Sequence, residues 1–190
     1  MADLIPIVPV EGDSVPLADG RTLTLKAITP AAKPVLAAAI RRLSLESSRL
    51  RFFTPRRELS DLELERLTAM DGWHRYALGL CRPAADGGTE GIGVARYARL
   101  ADDPRAAEIA VTVIDDYQGQ GLGKALLARL FAAAAMRGIE RLQAIVLPDN
   151  TPMLGLFRKY APAARWRHGG DHLTVDIPLA AAAMRVPAAA

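Results

Sequence analysis

The chain has 190 residues, of which 51% are apolar and 24% charged, a balance that suits one globular domain with a sizeable core. Its 24 basic and 21 acidic residues leave a net charge of +3, scattered along the chain, which argues against the dense basic stripe of a nucleic-acid binder. A single cysteine, Cys81, excludes an internal disulfide framework, and no apolar run approaches the roughly 20 residues that span a bilayer. The N-terminal stretch MADLIPIVPVEGD has no basic segment and does not read as a signal peptide. A cytoplasmic protein is expected.

Residues 1–20 read as an irregular arm rich in proline, glycine and aspartate. RTLTLKAI, from Arg21 to Ile28, alternates and predicts a first strand. Thr29-Pro30 then predicts a helix start, and VLAAAIRRLSLES a helical run closed by Pro55. Ser60 and Glu63 have capping-box spacing before a second helix, DLELERLTAM. HRYALGLC, GIGVARYARL and AAEIAVTVI predict an antiparallel meander, with a turn-rich loop over residues 83–91. A helix follows from about Gly121 to Arg137, with Leu126, Leu127, Leu130, Phe131 and Ala134 at helical spacing. RLQAIVL is a short apolar strand, Asp149 or Asn150 caps a further helix, and HLTVDIP is the last strand. Residues 21–178 thus read as one domain, and residues 179–190 as a low-complexity tail that frays.

The stretch DDYQGQGLGKALL, from Asp115 to Leu127, alternates glycine with larger residues where a strand gives way to a helix. The first N–H groups of a helix have no partners inside it, and the helix dipole adds partial positive charge there. Glycines 119, 121 and 123 keep side chains out of the way, so the loop has the makings of an anion site, most often for phosphate. A nucleotide phosphate loop is excluded, because Gln118 stands where its first glycine belongs and Ala125 where its hydroxyl belongs. A dinucleotide fingerprint is excluded because Lys124 takes the place of its last glycine. A plain glycine-rich turn into a helix fits the same spacing.

Gln118-Gly119-Gln120-Gly121-Leu122-Gly123 resembles the [Arg/Gln]-x-x-Gly-x-[Gly/Ala] loop of the GNAT N-acetyltransferases. VTVIDDYQGQGLGKALL is similar to that superfamily's strand, loop and helix, and NTPMLGLFRK to its asparagine-led helix. The resemblance runs from about Arg21 to Pro178 and implies a single α/β domain with a mixed, mostly antiparallel sheet flanked by helices. It also implies acetyl-CoA as co-substrate, with no metal. Its pyrophosphate would lie on Gln118, Gly119, Gln120, Gly121, Leu122, Gly123 and Lys124. Its pantetheine and acetyl group would meet the backbone of Val111, Thr112 and Val113, and its arm Asn150. A narrower resemblance, carried by SLESSRLRFF, ELSDLELERLT and DPRAAEIAVTV, is to the Pat-type bacterial protein lysine acetyltransferases. It implies a lysine of a protein as acceptor. Pat proteins often carry an added regulatory domain, for which a chain of this length has no room.

Acetylating a lysine requires a base, because an amine with a pKa of about 10.4 is protonated at neutral pH. The Pat-type resemblance assigns that role to Glu108 of AAEIAV, set on the strand face opposite Ile109, Val111 and Val113. Ala107 and Ile109 beside it predict partial desolvation, which raises a carboxyl pKa. A solvated glutamate on an outward strand face is the plain alternative, as a simple N-cap is for Asn150. The chain departs from the superfamily at Phe157, where a tyrosine commonly protonates the leaving thiolate, and at Ala161-Pro162 in place of Gly-Phe. Tyr160 lies one helical turn beyond Phe157 and is a weak substitute. Cys81 reads as a buried structural thiol, His168 to His172 as a hairpin turn, and Phe52 and Phe53 as core residues. Other acceptors compatible with the fold are a small-molecule amine or a protein N-terminus, and the missing tyrosine leaves a non-catalytic acyl-CoA-binding module as a third reading.

Overall fold

A computed structural model describes residues 13–17 and 19–181. The strands are β1 (Ser14–Pro16), β2 (Thr22–Ala27), β3 (Arg75–Pro83), β4 (Thr89–Arg99), β5 (Ala106–Val113), β6 (Arg141–Val146), β7 (Arg165–Gly169) and β8 (His172–Pro178). The helices are α1 (Lys33–Arg41), α2 (Leu45–Phe52), α3 (Asp61–Thr68), α4 (Leu122–Met136) and α5 (Thr151–Tyr160). All eight strands form one sheet in the order β1-β2-β3-β4-β5-β6-β8-β7. The β5–β6 pair is parallel and every other neighbouring pair antiparallel. A parallel pair needs a crossover connection, which α4 supplies. The expected mixed, mostly antiparallel sheet flanked by helices is therefore present.

The alternating apolar residues of the strands bury one sheet face against α4 and α5. Leu126, Leu127 and Leu130 of α4 and Phe157 of α5 pack there against Leu78, Tyr97, Ile109, Leu142 and Val175, none of them more than 4% exposed. On the other face α1, α2 and α3 share a second cluster built on Leu36, Ile40 and Leu64. Among the described residues no helix is long and apolar enough to cross a membrane.

Three sequence expectations are corrected. The arm over residues 1–20 is partly a strand: Ser14–Pro16 pairs with Thr22–Thr24, too short a segment for alternation to register. Its first 12 residues, and residues 182–190 of the tail, lie outside the described residues. The helical run after Pro30 is two helices, broken at Arg42–Ser44, because the Ser44 hydroxyl accepts from the Ser47 N–H and starts α2 anew. The loop expected over residues 83–91 is shorter, since Pro83 pairs with Thr89 at the strand ends, where proline's missing N–H costs nothing.

The remaining local signals hold. Ser60 accepts from the Glu63 N–H at 3.3 Å while the Ser60 N–H donates to the Glu63 carboxylate at 2.8 Å, a complete capping box. Gly169 pairs with His172 across the β7–β8 turn, as the hairpin expectation requires.

Candidate functional site

The parallel contact between β5 and β6 is short. It joins Ala106 to Arg141, Ala107 to Leu142 and Glu108 to Gln143, and stops. Beyond that point β5 pairs only with β4, out to Val113, and β6 only with β8, out to Val146. The two strands part like the arms of a fork, with Glu108 at its base. A small cavity of about 60 Å³ lies in the fork, between Glu108 to Val111 on one arm and Ala144 to Val146 on the other. Arg51 and Phe53 at the end of α2 roof it, and Phe157 of α5 lies beneath.

A larger cavity of about 330 Å³ adjoins the first and shares Arg51, Val111, Asn150 and Met153 with it. It runs from Val111, Thr112 and Val113 to the glycine loop, where Gln118, Gly119, Gly121, Leu122, Gly123 and Lys124 line it. The loop's shape explains its glycines. Gly119 and Gly121 have φ of 75° and 80°, left-handed conformations that side-chain-bearing residues adopt at a cost. Gly121 is the N-cap of α4 and offers no side-chain acceptor, and the first turn of α4 carries no acidic residue. The end of the cavity therefore meets free helix N–H groups in a first turn that carries no acid.

Of the residues singled out in the sequence, Glu108 borders the small cavity, and ten others border the larger one: Val111, Thr112, Val113, Gln118, Gly119, Gly121, Leu122, Gly123, Lys124 and Asn150. Gln120 does not join them. Its amide turns back to donate to the Asp116 carbonyl at 3.2 Å. Asn150 is the N-cap of α5, its side-chain oxygen accepting from the Met153 N–H at 3.2 Å, so it caps and lines the cavity together. Glu108 is exposed, which corrects the desolvation expected from its neighbours: Ala107 and Ile109 face the buried side and leave the carboxylate in solvent. Phe53 is likewise exposed, and it ends α2 in the left-handed region at φ 63°, a strained conformation for a phenylalanine at the mouth of the cleft. Phe52 packs between the two cores, as expected.

Phe157 is 1% exposed and its ring can release no proton. Tyr160 borders the glycine-loop end of the larger cavity, with Lys124 Nζ 5.1 Å from its ring centre, and does not reach the cavity that holds Glu108. Cys81 is buried, and burial pushes its thiol up. Among the described residues no three metal-ligating side chains gather.

Sequence reasoning missed the ties between α2 and the loop. The Ser44 N–H and hydroxyl donate to Asp115 at 2.9 and 2.6 Å, and the Ser47 hydroxyl at 2.8 Å. Burial alone would raise the Asp115 carboxyl, yet these donors from Ser44 and Ser47 hold it below its ordinary range. Gln118 extends the tie, its amide donating to Ser47 at 3.1 Å and to the Val113 carbonyl at 3.0 Å. On the far side Arg49 donates to Glu46 and, at 2.6 Å, to Asp149, linking α2 to the residue before Asn150. The one local sign was Ser44 three residues before Ser47; their acceptor stands 71 residues from Ser44.

A family model described as "Acetyltransferase (GNAT) family" matches residues 42–161. The chain is 30% identical over 149 residues to Acetyltransferase PA5475 of Pseudomonas aeruginosa, a match covering 77% of this chain and 79% of that protein. It is 44% identical over 62 residues to Acetyltransferase Pat of Mycolicibacterium smegmatis, where the match covers 33% of this chain but only 19% of the relative's length. Among solved structures it is similar to the GNAT domain of S. lividans PAT, with a TM-score of 0.77, 30% identity, and coverage of 87% of this chain and 95% of that one.

Proposed function

The chain belongs to the GNAT acetyltransferase family, and on that premise we propose that its unit over residues 21–178 moves the acetyl group of acetyl-CoA to the side-chain amine of a lysine in a protein, with Glu108 as general base. The observation that carries the reading is the position of Glu108, at the point where β5 and β6 part and at the end of a continuous cleft from the glycine loop. Acetyl-CoA supplies an acetyl thioester and a pyrophosphate.

The left-handed glycines and acid-free first turn of α4 suit that pyrophosphate, which Gln118, Gly119, Gly121, Leu122, Gly123 and Lys124 would hold. The parted edge of β5 at Val111, Thr112 and Val113 would receive the pantetheine arm, and its backbone N–H groups suit a developing oxyanion. Asn150 would meet the arm while capping α5. Glu108 takes the proton from the lysine ammonium, directly or through water, and so frees the nitrogen lone pair. A thiol with an ordinary pKa of about 8.5 leaves as thiolate without an acid, which agrees with Phe157 in the place of a tyrosine.

The exposure of Glu108 supports a macromolecular acceptor, because a lysine arm on a protein surface reaches a base at the rim without entering a deep pocket. The likeness to proteins named Pat supports the same acceptor. Such chemistry belongs in the cytoplasm, where the single buried cysteine is also at ease.

The test uses radiolabelled acetyl-CoA with a deacetylase-treated bacterial lysate and either the wild type or Glu108→Gln. Discrete protein bands labelled by the wild type alone are the expected result. An absence of bands, although acetyl-CoA binds, would overturn the protein acceptor and turn attention to small amines.

A further inference from the structure

A third cavity, of about 310 Å³, lies between α1 and the strands β2, β3 and β4, on the sheet face that carries Thr112 and Arg96. Its walls are mostly aliphatic, among them Val35, Leu36, Ala39, Ile40 and Leu80. Nothing in the acetyl transfer described above uses it.

Two guanidinium groups, of Arg51 and Arg96, also border this apolar space. Arg96 donates to the Leu67 carbonyl at 3.0 Å, and Arg51 lies 4.9 Å from the centre of the Phe52 ring. Among the described residues neither forms an ion pair, although most other arginines of the chain do. Burial lowers both from the ordinary arginine value; the Glu108 carboxylate partly offsets this at Arg51, while Arg51 adds its repulsion to Arg96, which falls to about 9. A guanidinium group in a protein keeps its charge at neutral pH. Both side chains are half-buried, and two like charges beside one apolar space, with Glu108 as the anion acting on Arg51, leave Arg96 without a carboxylate of its own. Thr112 adds a buried hydroxyl oxygen with no hydrogen-bond partner.

Cavity, cations and unpartnered hydroxyl together form a receptor for a molecule with an apolar tail and an anionic head. We propose that the cavity under α1 binds a carboxylate carrying an apolar chain of medium length, its tail against α1 and its carboxylate on Arg51 and Arg96. A volume near 310 Å³ is at the small end of ligand pockets, which sets the medium length. Arg51 and Thr112 border this cavity and the large cleft alike, and Arg51 borders the cavity of Glu108 as well, so the head lies beside the reacting centre. The same chemistry has two sources. One is a simple carboxylic acid; the other is an amino acid with an apolar side chain, whose amine would then stand near Glu108. The site does not depend on a protein acceptor.

The test is calorimetric titration of the whole chain with octanoate, octanol and octylammonium. Octanoate should bind at least ten-fold more tightly than either of the others. Arg96→Met should weaken octanoate at least ten-fold and leave octanol unchanged. Ala39→Phe, which fills the tail space without touching the cations, should abolish octanoate binding and leave acetyl-CoA affinity intact. Equal binding of octanoate and octanol, or no octanoate binding to the wild type at millimolar concentration, overturns the proposal. Norleucine with acetyl-CoA, followed by mass spectrometry, separates the sources. Formation of acetylnorleucine assigns the head to an acceptor amino acid, whereas binding of octanoate alone assigns it to a simple acid.

Discussion

Glu108 faces Gln143 in the last residue pair that joins β5 to β6. The sheet offers one parallel contact, and it ends on the one acidic side chain of β5. Past this pair the backbone edges of β5 and β6 have no strand partner in each other, so an extended arm entering the fork finds hydrogen-bonding groups ready and a carboxylate at its end.

The glycine loop gives the first prediction. Gly121 holds a left-handed φ of 80° at the N-cap of α4, with open space around its Cα. Gly121→Glu sets a negative side chain in that space and forces it into a conformation costing about 1–2 kcal/mol. Titration calorimetry with acetyl-CoA should show affinity reduced at least 100-fold, with the far-UV circular dichroism retained.

Asn150 has two separable duties. Asn150→Ala removes the acceptor for the Met153 N–H and should cost about 1 kcal/mol in denaturant unfolding. Asn150→Ser keeps an N-cap oxygen but shortens the reach into the cleft. Stability near wild type with weaker acetyl-CoA binding in the serine variant would establish contact with the arm. Unchanged affinity would leave Asn150 a cap alone.

The Asp115 tie predicts coupling between α2 and the loop. Asp115→Ala leaves the Ser44 N–H, the Ser44 hydroxyl and the Ser47 hydroxyl without their acceptor. A stability loss of about 1–3 kcal/mol is expected. Hydrogen exchange should quicken in α2 and in residues 118–124 together. Faster exchange in α2 with an unchanged loop would contradict the coupling.

Acid stability carries the signature of the capping box. Hydrogen bonds from Arg56, and next from Ser60, hold the Glu63 carboxyl down at about 2. The unfolded value is about 4.3. A folded pKa below the unfolded one means the contribution is complete above about pH 4.3 and is lost as pH falls through about 2. Glu63→Gln keeps the cap geometry and removes the charge, so the variant should be less stable than the wild type at neutral pH. Their difference in unfolding midpoint should close as the pH approaches 2.

Much of this was legible because it is local. The apolar spacing of Leu126, Leu127 and Leu130 placed α4, Ser60 with Glu63 placed α3, and the glycine alternation marked the loop. What the chain did not reveal depends on partners far away in sequence. The parting of β5 from β6 follows from register between strands on either side of α4, and the start of α2 from an acceptor on the loop at Asp115. Glu108 could be picked out by its neighbours in the chain, but its exposure is set by a sheet face that Ala107 and Ile109 do not share. Gln120 fits the loop pattern, yet the turn aims it back at Asp116.

Whether Glu108 takes the proton of the acceptor amine is decided by steady-state kinetics of Glu108→Gln beside acetyl-CoA titration. With Glu108 as the base, kcat falls by about 100-fold or more, acetyl-CoA affinity stays within two-fold of wild type, and activity partly recovers at high pH, where the amine is already neutral. Undiminished kcat in the glutamine variant at neutral pH would contradict it.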